Sequence, residues 1–319
     1  MNKYYFLLHS VSICKESSTE WLCETVTSPV QHNGWLDVFQ PPFYKSDGKS
    51  FLQILPQKLP GKELHYNHIK LHHPQTQEDY FITNGEFVVI SILHWDEENS
   101  KVYFMGTGER EAGARQLYWA QTDGQVLIQC ITCQLRTSRG DLCQYNQVSF
   151  SNDASYYIHT CLGPNIPEVV LRSNVNDDDQ AVKYVFETNQ QLEEQLSSKA
   201  LSEKMDLKVT VGGDDQGFQA PVLLKLPKGY DPVNDKYPLL VYVYGGPESQ
   251  IVDQRWKLGY EDYLTSNYGV VYAMIDGRGT GFQSNEYKFE VTFLSFFFKE
   301  HQLQLSFVGL SPIRNRRNA

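Results

Sequence analysis

No stretch of the 319 residues approaches the ~18 consecutive apolar positions of a membrane-spanning helix. Positive charge is short as well. Lys and Arg number 28 against 38 Asp and Glu, a net charge of −10. A broad nucleic-acid or anionic-membrane partner is therefore not expected. No Asn-x-Ser/Thr sequon occurs, so N-glycosylation lends no support to secretion. No Gly-x-Ser-x-Gly occurs either, the elbow that exposes the serine of α/β-hydrolases. Asp177-Asp178-Asp179 lacks the glycine and later glutamate of a calcium loop and reads as a solvated turn. No metal or cofactor motif stands out, and none is expected to be needed. The opening Met1-Asn-Lys-Tyr-Tyr-Phe-Leu-Leu is interrupted by His9 and lacks a nearby small-residue cleavage site. It reads as a strand rather than a signal peptide.

Aromatic residues are plentiful: Tyr 20, Phe 17 and Trp 5. Tyr and Phe favour strands, which tilts the reading toward β structure. The first half repeats. Asp47-Gly-Lys-Ser-Phe-Leu, Glu98-Asn-Ser-Lys-Val-Tyr and Asn152-Asp-Ala-Ser-Tyr-Tyr are turn-then-strand segments about 52 residues apart. A second set, centred on Tyr66, Tyr118 and Val170, keeps that period. Apolar strands such as Phe87-Val-Val-Ile-Ser-Ile-Leu lie between them. Units of about four strands at this period indicate β-propeller blades, stacked because one blade cannot bury both its faces. A generic sandwich is the alternative. About three and a half units fit, so the array should be open, with exposed edges.

The pattern changes after residue 185. Leu192, Leu196 and Leu201 approach helical spacing, with Glu193, Glu194 and Glu203 as a solvated face. A strand pair over 205–211 and 219–226 is joined by the Gly-rich turn 212–217. Residues 239–244 are apolar without alternation, as in a strand buried on both faces of a parallel sheet. They lead into Gly245-Gly246-Pro247. A helix over about 254–266 and a second buried strand, 270–275, complete a βαβ unit ending in Asp276-Gly-Arg-Gly-Thr-Gly281. Open α/β sheets place their chemistry at such strand ends.

Six cysteines fall into local pairs: Cys14/Cys23, Cys130/Cys133 and Cys143/Cys161. Local pairing on hairpins suits disulfides and an oxidising compartment. A four-cysteine zinc site from the last four and a set of reduced thiols are the alternatives. His65, His68, His72 and His73 invite a metal reading. The segment alternates like a strand, however, and they are read as exposed strand histidines.

Val243-Tyr-Gly-Gly-Pro247 followed by Asp276-Gly-Arg-Gly279 resembles the start of the hydrolase domain in the prolyl oligopeptidase clan of serine peptidases. The run Cys130-Ile-Thr-Cys133, Cys143-Gln-Tyr, Ser149-Phe-Ser, Tyr156-Tyr and Cys161 with Gly163-Pro164 resembles the last propeller blades of the dipeptidyl peptidase IV and fibroblast activation protein family. Cys14 to Cys23 and Gly34-Trp35 fit the same pattern. The likeness covers roughly 11–291.

The resemblance implies a mainly β chain followed by an α/β part, divided into three stretches. Residues 1–188 would be the C-terminal half of an eight-bladed propeller, supplying three to four blades. Residues 189–291 would be the first strands of an α/β-hydrolase. Residues 292–319 would be a divergent, poorly ordered tail. It also implies the disulfides 14–23, 130–133 and 143–161, and an extracellular place, secreted or at the cell surface. The parent activity would be release of N-terminal dipeptides from peptide substrates after Pro or Ala, by a homodimer. Tyr244 would donate its hydroxyl to the oxyanion.

The nucleophile, its Asp and His partners, and the paired glutamates that grip the substrate's amino terminus find no counterpart here. The expectation is therefore a truncated, inactive relative. A non-enzymatic binding module, like the family's inactive branch, is the alternative. Ser249 is the one nearby hydroxyl, and His301 the one histidine after His159.

Overall fold

The computed structural model describes residues 11–16, 21–27, 35, 40–125, 127–175, 181–211 and 218–290, with the backbone alone at 11–16, 21–27 and 211. The N-terminal strand expected before residue 11, the Asp177–Asp179 turn, the 212–217 turn and the 292–319 tail lie outside the described residues.

A hairpin, β1 (Val11–Glu16) and β2 (Trp21–Thr27), comes first. Three antiparallel four-stranded units follow. The first blade holds β3 (Phe43–Tyr44), β4 (Phe51–Lys58), β5 (His65–His72) and β6 (Tyr80–Phe81). The second holds β7 (Val89–Asp96), β8 (Lys101–Gly108), β9 (Glu111–Gln121) and β10 (Ile128–Cys130). The third holds β11 (Tyr145–Phe150), β12 (Tyr156–Gly163), β13 (Glu168–Ser173) and β14 (Val182–Glu187). Strands pair in chain order within each unit. Tyr66, Tyr118 and Val170 all fall in the third strand of their blade, and Phe51, Tyr103 and Tyr156 in the second. The 52-residue period is thus the blade period.

Blades stack through the apolar faces that alternation creates. Leu52, Ile54, Ile69 and Leu71 of the first meet Val89, Ile92, Val102, Phe104 and Tyr118 of the second. Each such buried side chain is worth about 1.5–3 kcal/mol. The second and third blades share Met105, Leu117, Val148 and Tyr157. They also share a buried polar chain. Arg172 Nε donates to His159 Nδ1, His159 Nε2 meets Asn146 Oδ1, and Asn146 Nδ2 donates to Gln116 Oε1. Burial pulls the His159 pKa down to about 3, so its ring is neutral and can accept from Arg172. The last blade ends open: every residue of β14 is exposed.

The histidine expectation needs correction. His65, His68 and His72 sit on β5 and His73 just beyond it, but His68 and His72 are fully buried and His65 and His73 half-buried. Local segments enclose the buried pair: Thr83, Gly85 and Phe87, from the chain after β6, surround His68, and Phe51 and Asp79 close over His72. His68 Nδ1 faces the Thr83 hydroxyl at 3.1 Å and Nε2 the Gly85 carbonyl at 3.0 Å. The Gly85 carbonyl can only accept, so Nε2 carries the proton, and Nδ1 accepts from the Thr83 hydroxyl, which in turn accepts the Ile69 N–H. This is a neutral tautomer with both nitrogens satisfied. His72 stacks on Phe51 and pairs with Asp79, while His65 pairs with Glu286.

Burial pushes the His68 pKa down from 6.5 to about 4. Between those values the unfolded chain takes up a proton that the folded chain refuses. The contribution is present above pH 6.5 and is lost as pH falls toward 4, amounting to about 3 kcal/mol. His68→Gln should therefore flatten the stability loss between pH 7 and pH 4.5 in urea titrations. An unchanged slope would contradict the neutral assignment.

After the blades comes α1 (Gln190–Ser197), with Glu193 and Glu194 exposed as expected. A mixed sheet follows: β15 (Glu203–Val211), β16 (Phe218–Leu226), β17 (Leu239–Val243) and β18 (Val271–Ile275), in the order β15-β16-β18-β17. Glu203 opens β15, and its side chain is solvated as expected. β17 and β18 are parallel, connected through α2 (Tyr260–Tyr268), and α3 (Asn285–Phe289) closes the described chain.

Two expectations need correction. β17 is not buried on both faces. Leu240, Tyr242 and Val243 are exposed, because β17 is the outer strand of the described sheet. Residues 254–259 are not helical. Their backbone donors go to the blades instead: Gln254 N–H to the Gly113 carbonyl and Trp256 N–H to the Leu162 carbonyl.

Candidate functional site

Parallel pairing sets Val243 opposite Ile275, so the two glycine-rich motifs leave the same end of the sheet side by side. They are then tied together. Glu248 N–H donates to the Gly279 carbonyl at 3.2 Å, and Gly281 N–H to the Ser249 carbonyl at 3.0 Å. The crossing bends the chain sharply: Glu248 has φ 61° and Gly279 φ 97°. Glycine adopts such a backbone freely, whereas glutamate is strained there.

Asp276 holds the turn from beneath. It is 2% exposed, and its two carboxylate oxygens accept the Ile251 and Val252 N–H groups, each at 2.9 Å. Its carbonyl accepts the Tyr287 hydroxyl at 2.7 Å. Burial pushes the Asp276 pKa up to about 6 although those two N–H groups pull the other way.

The blades hold the loop from the opposite side. Arg115, buried on β9, donates to Gln250 Oε1 at 2.6 Å and stacks 4.0 Å over the Phe282 ring. Gln250 returns a bond to the Ala112 carbonyl. At Gly163 the approach is closest: any Cβ would collide with the Gln254 carbonyl and stand 2.6 Å from the Trp256 nitrogen. None of Arg115, Gln250 or Gly163 was legible as a junction residue, since their partners lie far away in the chain. Gly163-Pro164 was noticed only as part of a resemblance.

Tyr244 sits at the exposed lip of this loop, 56% accessible. Its hydroxyl lies over Gly246, where a Cβ would stand 3.2 Å from it. Ser249 Oγ donates to the Tyr244 carbonyl at 3.2 Å, so the hydroxyl is engaged in bracing the turn. Among the described residues Ser249 has no histidine partner. His301 lies outside them.

The four described cysteine sulfurs are joined as Cys130–Cys133 and Cys143–Cys161. This overturns the zinc and free-thiol alternatives for these four. Cys14 and Cys23 face each other in register across β1 and β2, while their side chains lie outside the described residues. Non-reducing peptide mapping should return 14–23, 130–133 and 143–161. Scrambled or free thiols would contradict the pairing.

Blades feeding a mixed sheet of this order, with a Tyr-Gly-Gly-Pro turn against Asp-Gly-Arg-Gly, define the architecture of the prolyl oligopeptidase clan. Comparison with known proteins narrows it. Residues 8–168 match the family described as dipeptidyl peptidase IV (DPP IV) N-terminal region. Dipeptidyl peptidase 4 of Sus scrofa is 32% identical over 284 residues, covering 86% of this chain and 35% of that protein. Inactive dipeptidyl peptidase 10 of Rattus norvegicus is 31% identical over 248 residues, covering 76% and 30%. The crystal structure of Porphyromonas gingivalis dipeptidyl peptidase 4 matches the fold with a TM-score of 0.68 at 21% identity, covering 84% of this chain and 34% of that one. The chain belongs to the dipeptidyl peptidase IV family, and it spans about a third of the length of the relatives it matches.

Proposed function

We propose that this chain carries the oxyanion side of a serine-type dipeptidyl peptidase site and, as these 319 residues stand, does not hydrolyse peptides. The parent reaction is serine attack on the carbonyl that follows an N-terminal Xaa-Pro or Xaa-Ala dipeptide, with histidine as base and aspartate as its orienter. Tyr244 supplies a donor to the negatively charged oxygen that forms. The observation carrying this reading is the Tyr244 loop itself, braced by Asp276 from below and by Arg115 through Gln250 from the blades. Such a donor acts by being held in place before charge develops.

Residues 1–188 are assigned to the propeller's C-terminal half and 189–291 to the hydrolase. Two disulfides support an extracellular setting, secreted or at the cell surface. A second reading, a binding module without catalysis, draws support from the inactive relative.

The test is direct. The purified chain with Gly-Pro-anilide should match buffer, and a fluorophosphonate probe should leave it unlabelled. A nucleophile needs its base within hydrogen-bond reach, and Ser249 is committed to its own turn. Turnover abolished by Ser249→Ala would overturn the assignment.

A further inference from the structure

The Cys-x-x-Cys motif of the second blade is left unused by the oxyanion assignment. Cys130 ends β10, and Cys133, three residues on, is bonded to it from the turn that follows. Both residues are half-buried. The other described disulfide is sealed: Cys143 is 0% and Cys161 3% exposed. A cross-link over three residues removes much less freedom from the unfolded chain than one over eighteen. It also joins no two blades, and β10 is already paired with β9 at Ile128, Gln129 and Cys130. The short bond is therefore the more accessible of the two and the one on which the fold depends less.

Its two sulfurs differ. Cys133 N–H donates to Cys130 Sγ at 3.0 Å. A hydrogen bond to a sulfur favours its thiolate, one way in which Cys-x-x-Cys motifs lower a cysteine pKa. Cys133 Sγ instead stands 4.0 Å from the Tyr118 hydroxyl oxygen, whose own proton goes to the Thr107 carbonyl. A reduced Cys133 can donate to that oxygen and remain a thiol.

We propose that Cys130–Cys133 is a redox-active site that exchanges with an external dithiol. One thiolate of the dithiol bonds to Cys133 Sγ, the S–S bond breaks, and its electron pair leaves on Cys130. The second thiolate of the dithiol then displaces Cys133 from the mixed disulfide. Two electrons pass to the protein and the dithiol becomes a disulfide. Its two protons go to solvent, and Cys133 takes one back. The site uses neither Tyr244 nor a serine, so it stands or falls separately from the peptidase reading.

The full chain, held in dithiothreitol without denaturant, sampled over time, alkylated and mapped by peptide mass, tests this. Cys130–Cys133 should open at least about tenfold faster than Cys143–Cys161, with tryptophan fluorescence unchanged as it opens. Equal rates, or loss of the native fluorescence together with the short bond, would overturn the proposal, since a purely structural bond yields only on unfolding. Reduced thioredoxin, run alongside, separates a protein dithiol from a small one as the source. Two variants test the roles of the sulfurs. In Cys133→Ser, Cys130 keeps the N–H of residue 133; in Cys130→Ser, Cys133 has no such donor. Near pH ~7, iodoacetamide should label Cys130 in the first at least about tenfold faster than Cys133 in the second. Equal or slower labelling of Cys130 would overturn its assignment as the leaving thiolate.

Discussion

Replacing Lys225 by Met is expected to destabilise the chain by about 3–5 kcal/mol. Lys225 lies in β16, 1% exposed. Its ammonium reaches Asp262 Oδ2 at 2.5 Å and Glu261 Oε1 at 2.9 Å, both in the first turn of α2. It therefore clips that helix onto the sheet. Burial alone would raise the Asp262 pKa. Hydrogen bonds from Lys225, Ser202 and the Gly259 N–H outweigh it and hold the carboxyl below its usual value. Met keeps the volume but leaves two carboxylates facing an apolar wall. The cost is that of an uncompensated buried charge rather than of a lost contact. A second change, Asp262→Asn, should return a large part of it, and the pair should be strongly non-additive in a double-mutant cycle. Urea midpoints of the four proteins measure this. A loss below 1 kcal/mol for Lys225→Met would mean that solvent reaches the pair.

The Lys225 cluster also illustrates what a sequence can and cannot disclose. A lysine between Leu224 and Leu226 looks like the solvent side of an alternating strand. Only the helix packed across that face makes it interior. His68 and His72 follow the same rule. Period-2 alternation tells which residues share a face, not whether that face is covered, and here the segment from Asp79 to Phe87 covers it. The blade repeat, by contrast, was plain, because each blade reuses the same turn chemistry at the start of its second strand. Asp47-Gly, Glu98-Asn and Asn152-Asp need no long-range partner to be recognised.

The site divides along the same line. Tyr244, Gly245, Gly246 and Asp276 announced themselves as local motifs at the ends of apolar runs. The parallel pairing of β17 and β18 brings them together as expected. What braces them comes from blades more than a hundred residues earlier. Arg115 reads as a charge in a strand, and nothing local marks it as the partner of Gln250. The helix expected over 254–266 begins only at Tyr260 for a related reason. The N–H groups of Gln254 and Trp256 donate to distant blade carbonyls, which local helical spacing does not reveal.

If Tyr244 is the oxyanion donor, its hydroxyl matters only once a nucleophile is supplied. Without one, Tyr244→Phe should leave the chain folded and unchanged, since that hydroxyl makes no hydrogen bond that holds the loop in the described structure. The ring would still pack over Gly246. The informative protein is a chimera in which residues 8–290 of this chain replace the matching third of the Sus scrofa relative. Turnover of Gly-Pro-anilide by that chimera tests the central claim most directly. The account predicts measurable release of the dipeptide and a drop in kcat of about 10²–10³-fold on Tyr244→Phe, the usual cost of one oxyanion donor. KM should hardly change, because the missing bond forms mainly in the transition state. A folded chimera whose kcat changes less than about threefold on Tyr244→Phe, set against that expected loss, would contradict it.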